Sequence, residues 1–167
     1  YSPEEGGFRF QENLAATTLS TSFAVQTMNL LGRIDELQEE KRKIVSRILD
    51  HRFEDSGYLC DPRWKPDSTS RFKDEYVLSQ FTYFGLIALD ILGVQLGKLD
   101  FMEPLLSPDA IRQWFSTLNW GDFWYESNRV MFLMYFLAYL EKYGHDRDRR
   151  AVTDCINMCF EILDEKQ

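Results

Sequence analysis

One stretch of this sequence occurs twice, and that repeat constrains the fold more than any other feature. Residues 20–32 return as residues 81–93 without a gap, so that Gly32 and Gly93, which close the two copies, lie 61 positions apart. A weaker third copy ends at Gly144, 51 positions after Gly93. Self-similarity at a period of this order indicates stacked supersecondary units.

Each copy has the pattern of a helical hairpin: an apolar first helix, a turn that contains glycine, and an amphipathic second helix. Gly32 and Gly93 are good residues to end a first helix, and Ser107-Pro108 is a good start for a second one. The hairpins are predicted at about 14–52, 74–119 and 127–165, within a single helical-repeat domain over residues 1–167.

The two helices of each hairpin differ in polarity. The first helices, predicted at about 16–31, 75–92 and 128–143, are apolar on most sides, whereas the second helices have one polar face. This difference favours two layers, with the first helices inside and the second helices outside. The connections 53–74 and 119–127, which lead from a second helix to the next first helix, then lie at a common end. The predicted fold class is therefore all-α.

Composition excludes several functional classes. The 167 residues are long enough to bury a core, and aromatic residues make up 15%, a load that fills a core or lines a pocket for flat or apolar ligands. The net charge is −8, with acidic residues spread along the chain, which argues against a nucleic-acid partner. The longest apolar run, 130–140, is too short to span a bilayer, so the chain is not expected to be transmembrane.

The cysteine and histidine counts limit the available chemistry. Three cysteines give no disulfide framework, which favours a reducing, cytoplasmic location. Cys155 and Cys159 lie on an apolar stripe and are interpreted as buried thiols. With only His51 and His145, a catalytic triad based on histidine or a site with several histidine ligands is not expected. No metal site and no cofactor is therefore predicted.

The inner-helix pattern resembles the α/α-toroid superfamily, which includes terpenoid (squalene-type) cyclases and protein prenyltransferases. The resemblance rests on 82–86, Ala88-Leu89 and Leu92-Gly93, and on the loop 55–58, Asp-Ser-Gly-Tyr. It implies a toroid of hairpins, of which this chain holds about three, whereas closure takes about six or seven. The exposed side of such a partial toroid is sealed either by self-association or by the remainder of a longer chain.

The resemblance does not extend to the catalytic motifs of these enzymes. The Asp-x-Asp-Asp acid of class II cyclases, the Asp-Asp-x-x-Asp magnesium motif and the zinc ligands of prenyltransferases have no counterpart in the sequence. Residues 146–149, Asp-Arg-Asp-Arg, share only the first spacing, and the basic neighbours oppose the raised pKa that a protonating aspartate needs.

The two loops expected at one end of the domain supply the candidate site. Aromatic rings stack on sugars or apolar chains, and charged groups bind hydroxyls, so these residues are assigned to ligand binding: Arg63, Trp64, Trp120, Trp124, Tyr125 and Arg129. Three carboxylates could act as acid or base, as in glycoside hydrolysis: Asp61, Asp122 and Glu126.

A structural interpretation of the same residues stays open. Trp64 and Trp124 could plug the end of the toroid. Asp122, Glu126 or Ser127 could cap the third inner helix, and Glu126 could pair with Arg129 at i, i+3. Two functions follow from these alternatives. The first is a partial-toroid domain that binds a ligand or a protein partner through its aromatic and acidic loops. The second is a segment of an enzyme that acts on a glycan or an isoprenoid.

Overall fold

The computed structural model describes residues 1–50, 52, 56–61 and 74–165. Over those residues the chain forms α helices and short 3₁₀ helices and no strand, so the predicted all-α class is confirmed. The α helices are α1 Thr18–Leu30, α2 Lys41–Leu49, α3 Asp74–Ile91, α4 Pro108–Ser116, α5 Phe123–Tyr143 and α6 Asp146–Asp164. The 3₁₀ helices span Ile34–Leu37 and Asp100–Leu105.

The chain divides into two compact units, Tyr1–Gln95 and Leu96–Gln167. The first unit holds α1 to α3, and both α2 and α3 pack against α1. The second unit holds α4 to α6, and both α4 and α5 pack against α6. The division falls between α3 and α4, the two helices that the sequence pattern placed in one hairpin.

Two helix boundaries differ from the prediction. The second helix of the first hairpin, which the pattern of apolar residues predicts at about 36–52, is divided into the 3₁₀ helix Ile34–Leu37 and α2, which begins at Lys41. The Glu40 N–H bonds to the Leu37 carbonyl, three residues back, which tightens the chain before α2. Helix α5 begins at Phe123 rather than near residue 128, because the Glu126 N–H already donates an α-helical hydrogen bond to the Asp122 carbonyl.

The Leu-Gly ends of the two repeat copies have the same backbone geometry. Gly32 and Gly93 have φ values of +67° and +72°, in the left-handed region that glycine adopts without strain. After α1, the Arg33 N–H bonds to the Met28 carbonyl; after α3, the Val94 N–H bonds to the Leu89 carbonyl. Both helices therefore end in a Schellman motif. The third copy does not share it, since Gly144 has φ −69°.

Alanine at either repeat glycine is expected to destabilise the fold by about 1 kcal/mol, since a Cβ is unfavourable at this φ. The cost is backbone strain alone: a Cβ at Gly32 meets nothing within 4 Å, and one at Gly93 lies 3.9 Å from the Lys41 Nζ. Urea denaturation of Gly32→Ala and Gly93→Ala measures this. Gly32→Asn is the control, because asparagine tolerates left-handed backbone and should recover part of the loss. Wild-type stability in both alanine variants would contradict the assignment.

A loop precedes each repeat helix and is held by an equivalent threonine hydroxyl. The Oγ1 of Thr21 in α1 accepts a hydrogen bond from the Phe8 N–H at 3.1 Å. The Oγ1 of Thr82 in α3, 61 positions later, accepts from the Leu59 N–H at 2.9 Å and donates to the Leu59 carbonyl at 3.3 Å. The repeat therefore includes the loop as well as the helix.

Those loops share a further feature. Each contains an isolated antiparallel bridge, Ser2 with Gly7 and Arg52 with Leu59. Each bridge encloses a glycine with positive φ, Gly6 in the first and Gly57 in the second. The tight turn needs this conformation, and glycine adopts it without a Cβ clash.

The two repeat helices α1 and α3 pack on each other through matching positions. Phe23 and Phe84 occupy the same place in the two copies, and their ring centroids lie 4.6 Å apart in an edge-to-face contact. Small or polar residues line the buried side of α1, where the Ser22 hydroxyl donates to the Thr18 carbonyl. A Cβ at Gly85 of α3 would lie 2.7 Å from the Leu59 Cδ1, so glycine allows the loop to approach the helix.

The core of the second unit is formed chiefly by α5 and α6. Leu137 of α5 and Val152 of α6 are fully or almost fully buried. Cys155 and Cys159 are also buried, as predicted, and burial raises the pKa of the first thiol to about 11 and of the second to about 12. Both thiols are thus protonated at neutral pH, which agrees with a packing role.

Candidate ligand-binding site

Glu126 of α5, a candidate acid or base, is enclosed and bonded through both carboxylate oxygens. Glu126 is only 4% exposed. The Oε1 accepts a hydrogen bond from the Asn119 N–H at 3.1 Å, and the Oε2 accepts from Arg129 at 2.9 Å. The carboxylate therefore ties the loop after α4 to the first turns of α5, and its bond to Arg129 is the predicted i, i+3 pair.

Arg129 extends this arrangement into an aromatic cluster. Its guanidinium carbon lies 5.1 Å from the ring centroid of Trp114 and 6.0 Å from that of Tyr125, within cation–π range. The structure thus brings together Tyr125, Glu126 and Arg129 from the predicted site. Trp114 of α4 joins them and was not among the predicted site residues.

The remaining candidates of this loop lie outside the cluster or at its edge. Trp120 stacks on Phe115 with ring centroids 6.4 Å apart. Trp124 is 59% exposed, and its neighbours Asp122 and Phe123 are exposed as well. The Trp124 carbonyl accepts hydrogen bonds from the side chains of Ser127 and Asn128. The indole of Trp124 is therefore presented to solvent at the start of α5.

Only part of the first predicted loop lies in the described residues. Arg63 and Trp64 lie outside them, and Asp61 lies inside. Asp61 is 5% exposed, and its Oδ2 accepts a hydrogen bond from the Thr18 N–H, at the first residue of α1, at 3.2 Å. Since the first N–H groups of a helix have no partner within the helix, this carboxylate supports the N-terminus of α1.

Asp61 also lines an apolar groove in the first unit. The groove has a volume of about 440 Å³, within the range of small-molecule sites. Its walls come from the segment before α1, from α1 itself and from α3: Phe10, Leu14, Ala15, Thr17, Leu19, Asp61 and Phe81. Two of these seven residues, Thr17 and Asp61, are polar, and the other five are apolar.

An aromatic series continues from this groove along the paired repeat helices. The Phe10 ring lies 6.0 Å from that of Phe23, which contacts Phe84, and Phe84 in turn lies 5.0 Å from Tyr83. All four side chains are half-buried or exposed. A ligand in the groove can therefore contact aromatic rings as well as aliphatic side chains.

Sequence reasoning identified Asp61 but not the groove. Phe10 lies before the first predicted hairpin and Leu14 at its edge, outside the predicted first helix, so no pattern connected either residue with α3. The sequence offers one signal: both are large apolar residues, although Phe10 lies within a polar stretch, Arg9 to Asn13, and Leu14 directly follows it. Such residues usually pack against the domain or serve a binding surface.

Among the described residues, no group of three or more His, Cys, Asp and Glu side chains is placed to hold a metal ion. Within the same part of the chain, none of the helices combines the length and the apolar character needed to cross a membrane. No protein-family model, no curated protein and no solved structure matches this chain.

Proposed function

We propose that this chain is a helical-repeat binding domain whose groove in the first unit holds the apolar chain of a small amphiphilic ligand. The observation that carries this proposal is the groove itself, which has a volume of about 440 Å³ and is lined by five apolar residues together with Thr17 and the carboxylate of Asp61. A partial α/α toroid, in which α1 and α3 are inner helices and α2 is an outer helix, is the arrangement we propose for it. The direct packing of the two repeat copies supports that arrangement.

The groove lining indicates the ligand class. Each methylene that leaves water for an apolar wall contributes about 0.8 kcal/mol, so five apolar residues favour a hydrocarbon chain, isoprenoid or acyl. Thr17 and Asp61 are the polar residues of the lining, so a ligand head that is itself polar, such as a hydroxyl or an amine, fits beside them.

Binding fits the structure better than catalysis by the predicted carboxylates. Glu126 engages both oxygens within the protein, and Asp61 supports the N-terminus of α1. The exposed indole of Trp124 favours one further candidate, a carbohydrate that stacks on this ring. Loss of glycan-array signal in Trp124→Ala, with groove binding unchanged, would support that second site.

Titration with a fluorescent farnesyl probe and a fluorescent dodecanoyl probe tests the groove. Leu19→Glu or Phe81→Glu places a charge against the apolar wall of the groove. We expect the affinity for both probes to fall by more than about tenfold. The matched control is Leu30→Glu, since Leu30 lies on the same helix, α1, but is 85% exposed and outside the groove.

Two outcomes would contradict the proposed function. Either the wild-type chain binds neither probe, or the Leu19 and Phe81 variants bind as tightly as the Leu30 control. Circular dichroism of each variant checks that the helical fold is retained.

A further inference from the structure

The segment before α1 has the geometry of an Ω-loop, a compact surface loop with its ends held close together. We call residues 9–15 the strap. The residue before it, Phe8, is fixed through both backbone groups: its N–H bonds to the Thr21 hydroxyl and its carbonyl accepts from the Ser20 hydroxyl at 2.6 Å. The strap therefore starts from a fixed point on the first turn of α1.

The residue after the strap, Ala16, is fixed in the same manner. Its N–H bonds to the Glu5 Oε2 at 3.0 Å, and its carbonyl accepts from Arg47 of α2 at 2.6 Å. The same Glu5 Oε2 also accepts from the Arg9 Nε at 2.7 Å. One carboxylate oxygen thus joins the two ends of the strap.

The body of the strap is bonded internally, and its Arg9 Nη2 also donates to the Ser2 hydroxyl at 3.0 Å and to the Glu4 Oε1 at 2.9 Å. The Arg9 Nη1 donates to the Glu12 carbonyl, and the Leu14 N–H donates to the Gln11 carbonyl. The Phe10 ring makes a tilted contact with Phe23 of α1. Fixed ends and an internally bonded body allow the strap to move as one piece about Phe8 and Ala16.

The apolar residues of the strap stand at the groove. Phe10 and Leu14 both line it, yet Phe10 is 57% and Leu14 46% exposed. These two large apolar side chains gain burial if the strap closes over an apolar ligand in the groove.

We propose that the strap is a lid over the groove, and that Glu5 is the latch that sets its position by holding Arg9 and Ala16 together. This inference rests on the proposed function, since a lid needs a bound ligand to cover. The Ala16 N–H, and after it the Arg9 guanidinium, lower the pKa of the Glu5 carboxyl to about 2. The latch therefore keeps its charge at all but strongly acidic pH.

Stopped-flow kinetics with the farnesyl probe tests the lid. In Glu5→Gln we expect the association and dissociation rate constants to rise together, with little change in Kd. The rise is up to about fivefold, because that is the effect of losing one exposed ion pair. In Phe10→Ala with Leu14→Ala we expect only dissociation to accelerate, because the closed contacts are lost.

The matched control is Glu36→Gln, which removes an exposed i, i+3 pair with Arg33 in the same unit but outside the strap. Rate constants in Glu5→Gln equal to those of this control would overturn the lid while leaving the groove as the binding site. Faster dissociation alone in Glu5→Gln would also overturn it, since that result fits lost contacts rather than gating. Absence of probe binding to the wild-type chain would overturn the proposed function and the lid with it.

Discussion

Replacing Arg129 with methionine is expected to lower the free energy of unfolding by about 3 kcal/mol. The methionine fills similar space but leaves the Glu126 carboxylate, which is almost fully buried, without the cation that pairs with it in the described residues. A buried charge that loses its partner is costly because it has also lost its water. Urea denaturation followed by circular dichroism measures the change.

The double variant Arg129→Met, Glu126→Gln is the control for this effect. A neutral amide can still accept the hydrogen bond from the Asn119 N–H, so the double variant should recover about half of the lost stability. If the single and double variants unfold at the same urea concentration, the loss comes from packing against Trp114 and Tyr125 rather than from the unpaired charge.

Replacing Thr82 with valine is expected to cost about 2 kcal/mol. Valine keeps the shape of threonine but removes the hydroxyl that satisfies both backbone groups of Leu59. Both residues are buried, so water cannot replace the lost bonds without opening the loop. Chemical denaturation of the purified variant measures the effect.

Thr82→Ser is the matched control, because serine retains the hydroxyl and loses one methyl group. It should be clearly more stable than Thr82→Val, although less stable than the wild type. Thr21→Val should cost less than Thr82→Val, since the hydroxyl of Thr21 holds the half-buried N–H of Phe8. Equal stability of Thr82→Val and Thr82→Ser would show that the hydroxyl does not hold the loop.

The helical class and the repeat ends could be predicted because their signals are local. An apolar run followed by Leu-Gly determines where α1 and α3 end, through backbone geometry that needs no distant partner. The division before α2 escaped prediction because Leu37, Ile44 and Ile48 fall on one face at helical spacing, as in a continuous helix. Periodicity does not distinguish an unbroken helix from two short helices that share a buried face.

The candidate site was predictable only where its residues are close in sequence. Glu126 and Arg129 lie one helical turn apart, so their pairing follows from spacing. The groove combines residues from the strap, α1, Asp61 and α3, and nothing in the sequence connects Phe10 with Phe81. Those contacts depend on the packing of α1 against α3, which is a long-range property.

The loops held by the Thr21 and Thr82 hydroxyls indicate where each copy of the repeat tolerates extra residues. Phe8 precedes Thr21 by 13 positions, and Leu59 precedes Thr82 by 23, so the second copy carries ten more residues between the same two anchors. Both copies nevertheless hold the loop by the same hydroxyl. A guest peptide grafted after Asp61, beyond the two residues that bond to Thr18, should therefore leave this unit of loop and helix intact, whereas a fragment that starts at α3 lacks the loop.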